Sequence, residues 1–234
     1  MKKINLCVIE DLLEHGIEAM KALKFYNEKK AAAKADLSFH AIAIAPKGDS
    51  VSQGGENDGD PAIKEKLKEL NGERDMADAF LKIAVPFDKL YAHEGLDCAE
   101  LDLICSEIIK FEHEKQLFFL LDLILFDQGE EDFKRLKAGQ SILSTALYNH
   151  FKDRIIAYTD YGGEYLFQTK WIENYCAAYG DSCSGPPDRN IPIYNKECLT
   201  LTQQFCEVDV EEVYSKIIES APVSDCPEGN PIPE

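Results

Sequence analysis

A doubly wound α/β domain, built on one five-stranded parallel sheet with helices on both faces, is the fold class this sequence predicts. Three observations lead there. Short apolar runs alternate along the chain with stretches whose apolar residues recur three and four positions apart. The run LFFLLDLILF at 117–126 is apolar almost throughout, as expected for a strand covered on both faces of a parallel sheet. Hydrophobic residues make up 45% of the 234 positions, enough for a sizeable core and too many for a disordered chain.

Each element follows from its local pattern. INLCVIED is a buried strand ending in two acids. Leu13, Ile17, Met20 and Leu23 then recur at helical spacing and define an amphipathic helix. LSFHAIAIAP is a second strand, closed by Pro46. Residues 47–61, KGDSVSQGGENDGDP, form a loop rich in Gly, Asp and Ser. The stretch 62–84 reads as helix with a break near Asn71 and Gly72, and 85–97 as irregular. Leu101, Ile104, Ile108 and Phe111 place a helix over 98–116, ahead of the strand at 117–126.

Ile142, Leu143, Ala146, Leu147 and Phe151 give the stripe of a helix over 138–153. RIIAYTDYGG is the fourth strand, and a helix containing Trp171, the sole tryptophan, follows. DSCSGPPDRN is a turn-rich loop and IPIYNKECL the fifth strand. A closing helix carries Val210, Val213, Tyr214, Ile217 and Ile218 inward, with Asp209 and Glu212 in a capping-box pattern. The expected organisation is therefore one domain over 1–221 with an insertion at about 46–96, and a disordered acidic tail at 222–234.

Charge narrows the function. With 25 basic and 43 acidic residues the net charge is −18, which argues against nucleic acid and against an anionic membrane surface. Glu10 and Asp11 interrupt the only N-terminal apolar stretch, so no signal peptide is expected, no run reaches membrane-spanning length, and a cytoplasmic location follows. None of the eight cysteines forms a C-x-x-C pair and the five histidines are scattered, so the cysteines are expected to be thiols in the core rather than zinc ligands.

Ligands in such sheets sit beyond the carboxyl ends of the strands, at the switch point of strand order. The first strand ends at Glu10 and Asp11, the third carries Asp122, the fourth ends at Thr159 and the fifth carries Lys196. Asp122 interrupts an otherwise apolar run, and a buried ionised carboxylate needs a partner. Several carboxylates in one crevice call for a cation, and hard oxygen donors suit Mg²⁺. With an ammonium and a hydroxyl nearby, the set suits phosphoryl chemistry on a carboxylate.

These segments resemble the receiver domain of two-component response regulators, a flavodoxin-like, CheY-like fold. VIEDL is similar to the acidic pair after the first strand of that family, and FLLDLILFD to its phospho-acceptor strand. GQSILSTALYNHFKDRIIAYTDYGG resembles its third helix, fourth strand and Thr-bearing turn, and IYNKE the strand carrying its lysine. The resemblance implies that Asp122 accepts a phosphoryl group, and that Glu10, Asp11, Asp122 and the backbone carbonyl of Ile124 hold Mg²⁺. It implies further that Thr159 senses the acyl phosphate and that Lys196 pairs with its oxygens. The partner would be a sensor histidine kinase or another signalling protein, and any enzymatic activity would be limited to self-phosphotransfer.

The chain departs from that family at identifiable positions. Phe126 and Glu197 stand where prolines are usual, and Ile193 stands at the aromatic switch position, with Tyr194 one residue away. These departures keep two alternatives open: a phosphorylation-independent pseudo-receiver that acts as an interaction module, and a Mg²⁺-dependent phosphatase or hydrolase. The second is disfavoured by Ile124, where a haloacid-dehalogenase-like enzyme would carry a second Asp. Plain structural roles compete at each site residue: a turn cap for Asp122, first-turn helix acids for Glu10 and Asp11, a turn residue for Thr159 and a surface lysine for Lys196.

Overall fold

The computed structural model describes residues 1–10, 13–47, 60–72, 79–86, 98–122, 147, 150–159, 193–195 and 207–222. In chain order the elements are β1 (Lys2–Glu10), α1 (Leu13–Lys29), β2 (Ala35–Lys47), α2 (Asp60–Asn71), β3 (Phe80–Pro86) and α3 (Cys98–Lys115). They continue with β4 (Leu117–Asp122), a 3-10 turn at Lys152–Arg154, β5 (Ile155–Thr159), β6 (Ile193–Asn195) and α4 (Glu207–Ser220).

All strand pairs among these residues are parallel, and the sheet order is β3-β2-β1-β4-β5-β6. The doubly wound α/β class is as the sequence predicts. The strand number is not: six strands replace the expected five, because Phe80–Pro86 leaves the expected 62–84 helix and 85–97 irregular segment to become the edge strand β3. The expected insertion thus adds both a helix and a strand to the sheet. Set β3 aside and the other five strands, counted among themselves, run 2-1-3-4-5, the flavodoxin-like order. β3 escaped the helix reading because α2 stops at Asn71, where Gly72 takes φ +71 and turns the chain out of the helix without steric cost.

Strand alternation sorts the core into two layers. Ile4, Leu6 and Val8 of β1 face the same side as Phe39 and Ala41 of β2 and Phe118 and Leu120 of β4. They pack with Ile17, Met20 and Leu23 of α1, Leu67 of α2, and Val213, Tyr214 and Ile217 of α4 in one cluster. Gly16 lets α1 come close: a Cβ there would fall inside the Val8 side chain, with Val8 Cβ at 3.1 Å. The opposite face carries Cys7, Ile9, Phe119 and Leu121, with the buried Ile104, Cys105, Ile108 and Phe111 of α3. With helices on both faces, β1 and β4 bury both of their sides, which explains their continuous apolarity.

Side-chain amides finish what the ladder leaves open. β3 joins β2 only from Ala41 onward, so among the described residues no strand pairs with the outer edge of β2 before that point. Asn71 fills the gap at Phe39: the Phe39 N–H donates to Asn71 Oδ1 at 2.7 Å and Asn71 Nδ2 donates to the Phe39 carbonyl at 2.9 Å. Asn27 does the same at Ala35, accepting the Ala35 N–H at 2.9 Å and donating to its carbonyl at 3.0 Å. The Tyr214 hydroxyl lies 2.5 Å from Asn27 Oδ1, to which it donates, and 2.9 Å from the Ala33 carbonyl, tying α4 to this corner. Buried backbone groups left unpaired would each cost about 1–3 kcal/mol, so these amides matter to the fold.

Helix C-termini are also capped by donors. Lys2 Nζ reaches the Ile218 carbonyl of α4 at 2.6 Å, Asn5 Nδ2 the Lys115 carbonyl of α3, and Lys24 Nζ the Leu70 carbonyl of α2. α4 begins at Glu207, so Asp209 lies within its first turn rather than at the expected capping position. Cys7 and Cys105 are free, buried thiols, in line with the expectation of core cysteines. No helix among the described residues is long and apolar enough to cross a membrane. The expected helices over 138–153 and 164–180 fall largely or wholly outside the described residues, as does the tail from 223 onward.

Candidate functional site

The strand order reverses between β1 and β4, and the crevice of a doubly wound sheet opens there, beyond the carboxyl ends. Glu10 is the last residue of β1 and Asp122 the last of β4. The β1–β4 register pairs Ile9 with Leu121, so Glu10 and Asp122 are the next residues on the two neighbouring strands. Asp122 pairs with Tyr158, and Thr159 ends β5 one residue further on. Thr159 in turn pairs with Asn195, the last residue of β6, and Lys196 follows it directly in the chain. Three sequence-predicted residues, Glu10, Asp122 and Thr159, therefore stand at the carboxyl ends of three adjacent strands. Asp11, Ile124 and Lys196 lie outside the described residues.

Glu10 is fully buried at 0% exposure, which its identity alone does not reveal. Alternation continues the series Ile4, Leu6, Val8 to Glu10 and places it on the face covered by α1. α1 begins three residues later, so its positive N-terminal end lies next in the chain to this carboxylate. On the other side of β1, Glu10 pairs with Ala43 of β2, whose neighbour Ile44 is also buried. The β2 side thus presents the small apolar Ala43 at this level, and the acidic residues stand at the ends of β1 and β4.

A magnesium ion is what the receiver resemblance implies for such a group. Carboxylate oxygens are the donors this ion prefers, and Glu10 supplies one from a buried position beside Asp122 in register. On donor chemistry the residues fit. Among the described residues no group of three His, Cys, Asp or Glu side chains converges for a metal. The expected set would have to be completed by Asp11 and Ile124.

A second polar position, the half-buried His40, escaped the sequence reading, which gave the histidines no role. His40, in the middle of β2, pairs in register with Cys7 and meets the Phe111 ring edge-on at 6.2 Å. Both of its ring nitrogens are sealed from solvent without a hydrogen-bond partner. Burial, helped by the positive charge of Lys115, lowers its pKa from 6.5 to about 4. Burial likewise pushes the Cys7 thiol well above its usual value, and the Cys105 thiol up to about 12 with help from Asp102. These thiols are protonated and unreactive at neutral pH. No signal in the sequence singled out His40, because its isolation depends on α3 closing over the sheet.

Comparison with known proteins assigns no family. No family model matches the chain, and no curated protein matches it. Among solved structures, a glucose-6-phosphate dehydrogenase in complex with its substrate glucose-6-phosphate superimposes with a TM-score of 0.34 and 15% sequence identity. The match covers 77% of this chain and 35% of that one, so this chain spans about a third of its length. A likeness at that level adds nothing to the fold described above.

Proposed function

We propose that this chain is a receiver-like signalling protein that accepts a phosphoryl group on Asp122 with the help of Mg²⁺. One observation carries the reading: a fully buried carboxylate, Glu10, stands beside Asp122 in register at the switch point of the sheet. The flavodoxin-like order of the five sequence-predicted strands and the position of Thr159 at the end of the next strand support it.

The chemistry is an exchange of one acyl phosphate for another. An Asp122 carboxylate oxygen attacks the phosphorus of the donor and a new P–O bond forms, while the donor's P–O bond breaks to release a carboxylate from an acyl phosphate, or its P–N bond breaks to release the imidazole of a phosphohistidine. Glu10, Asp11, Asp122 and the Ile124 carbonyl would hold the magnesium ion, which supplies neutralisation of the phosphoryl charge when bound. Lys196 would pair with the phosphoryl oxygens, and Thr159 would donate its hydroxyl to them and report the new charge by moving. The partner on this reading is a sensor histidine kinase or another signalling protein, docking on the insertion or on the face next to β6.

The second reading is a pseudo-receiver that keeps the fold and interacts with partners without phosphorylation. Glu197 and Ile193, standing where the family carries a proline and an aromatic residue, favour it. One experiment separates the two. The chain is incubated with Mg²⁺ and acetyl phosphate, and intact mass is read beside Asp122→Asn. The receiver reading expects an added phosphoryl group that requires Mg²⁺ and is absent from the variant. A chain that stays unmodified and shows no Mg²⁺ binding by titration calorimetry overturns it in favour of the pseudo-receiver.

A further inference from the structure

With its edge strand included, the sheet has the order 3-2-1-4-5-6, which is also the order of dinucleotide-binding sheets. In those sheets the turn after β1 carries three glycines in the spacing G-x-G-x-x-G. The first makes the tight turn, the second lets the backbone approach the pyrophosphate, and the third lets the helix pack closely on the strand. This chain retains the third device alone. Gly16 lies against Val8 so closely that any side chain there would collide with it. Counting back from Gly16, the first two glycine positions are Asp11 and Leu13.

Each replacement works against a pyrophosphate. Leu13 is buried at 7% exposure in the cluster beneath α1, so a core side chain stands where the backbone would have to be bare. Asp11 adds a carboxylate where the tight turn is needed. Glu10, fully buried on the α1 face just before that helix begins, sets an acidic side chain at the end that would have to receive the phosphates.

We infer that the switch-point crevice does not take a nicotinamide or flavin dinucleotide: the acidic Glu10 side chain is buried at the end of β1 beside the helix start that would receive the pyrophosphate, and Leu13 fills the approach to it. The helix-packing half of the dinucleotide device is present and the phosphate-binding half is absent. The inference is independent of the phosphoryl reading, since failure of the acetyl phosphate assay leaves it untouched.

Its test is a titration of the full chain with NADH, NADPH and FAD. Folding is verified by a cooperative thermal transition, and a nicotinamide-dependent dehydrogenase and a flavoprotein serve as positive controls. Nucleotide fluorescence is expected to follow the protein-free reference line up to about 1 mM, a level that detects even feeble sites, with the transition temperature unchanged. Saturable binding of any of the three by the folded chain overturns the inference.

Discussion

At the N-terminal end of the sheet, polar side chains hold backbone; at the C-terminal end, acidic residues stand at the ends of neighbouring strands. Lys2, Asn5 and Lys24 each donate to the last carbonyls of a helix, Asn27 closes the start of β2, and Arg154 pairs with the buried Glu112 just ahead of β5. These groups are consumed by the fold. At the other end Glu10 and Asp122 share a register level, with Thr159 one strand over. The difference has a physical origin. In a parallel sheet every helix returns its C-terminus to the N-terminal end of the next strand, so orphan carbonyls collect there and draw donors. The carboxyl ends face helix N-termini, which favour negative charge, and are left for ligands.

The largest effect expected at the fold-holding end is that of Asn71→Ala. It strips both the N–H and the carbonyl of the buried Phe39 of their partner and should lower unfolding free energy by about 3 kcal/mol. Urea denaturation measures this. An Asn71→Ala chain of unchanged stability would break the comparison at its strongest point.

Acid tests the layer between the two ends. His40 is held neutral, with its folded pKa near 4 against 6.5 unfolded. Between those values the unfolded chain binds more protons, so stability is full above pH 6.5 and falls as pH drops toward 4, by at most about 3 kcal/mol. Unfolding free energy followed across this window should show that slope, and His40→Leu should flatten it. An equal slope in both chains would mean that His40 has no part in the acid response.

Gly16→Ala probes the approach of α1 at the crevice. The added methyl collides with Val8 in a packed core, and the strain should lower stability by about 2 kcal/mol. Combining it with Val8→Ala should recover part of the loss, because the collision partner is then gone; absence of recovery would argue against this contact as the cause. The smallest effect has the opposite sign. Gln116, between α3 and β4, holds φ at 55, a left-handed conformation that suits glycine. Gln116→Gly should raise the denaturation midpoint, by about 1 kcal/mol in unfolding free energy.

Much of the chain was legible because its information is local. β1 and β2 emerged from apolar runs, and α1, α3 and α4 from stripes such as Leu13, Ile17, Met20 and Leu23, which the core cluster contains. Asp122 drew attention because it interrupts an apolar run, and it does end a central strand. β3 was missed because an edge strand is only half patterned: Ile83 is buried while Lys82 and Ala84 are exposed, and Leu81 is only half-buried. The roles of Asn71 and Asn27 were invisible, since an asparagine that bonds a strand some 32 residues away looks like any other helix-end asparagine.

The sequence by itself determined the alternation of strands and helices and the acids at the strand ends, because periodicity and residue identity act over a few neighbouring positions. Only the tertiary structure decided which strands are neighbours, that β1 and β4 flank the switch point, that Glu10 is sealed from water and that the ring nitrogens of His40 find no hydrogen-bond partner among the described residues. Those properties depend on contacts between residues far apart in the chain, and no local pattern encodes the partner that closes over a given side chain.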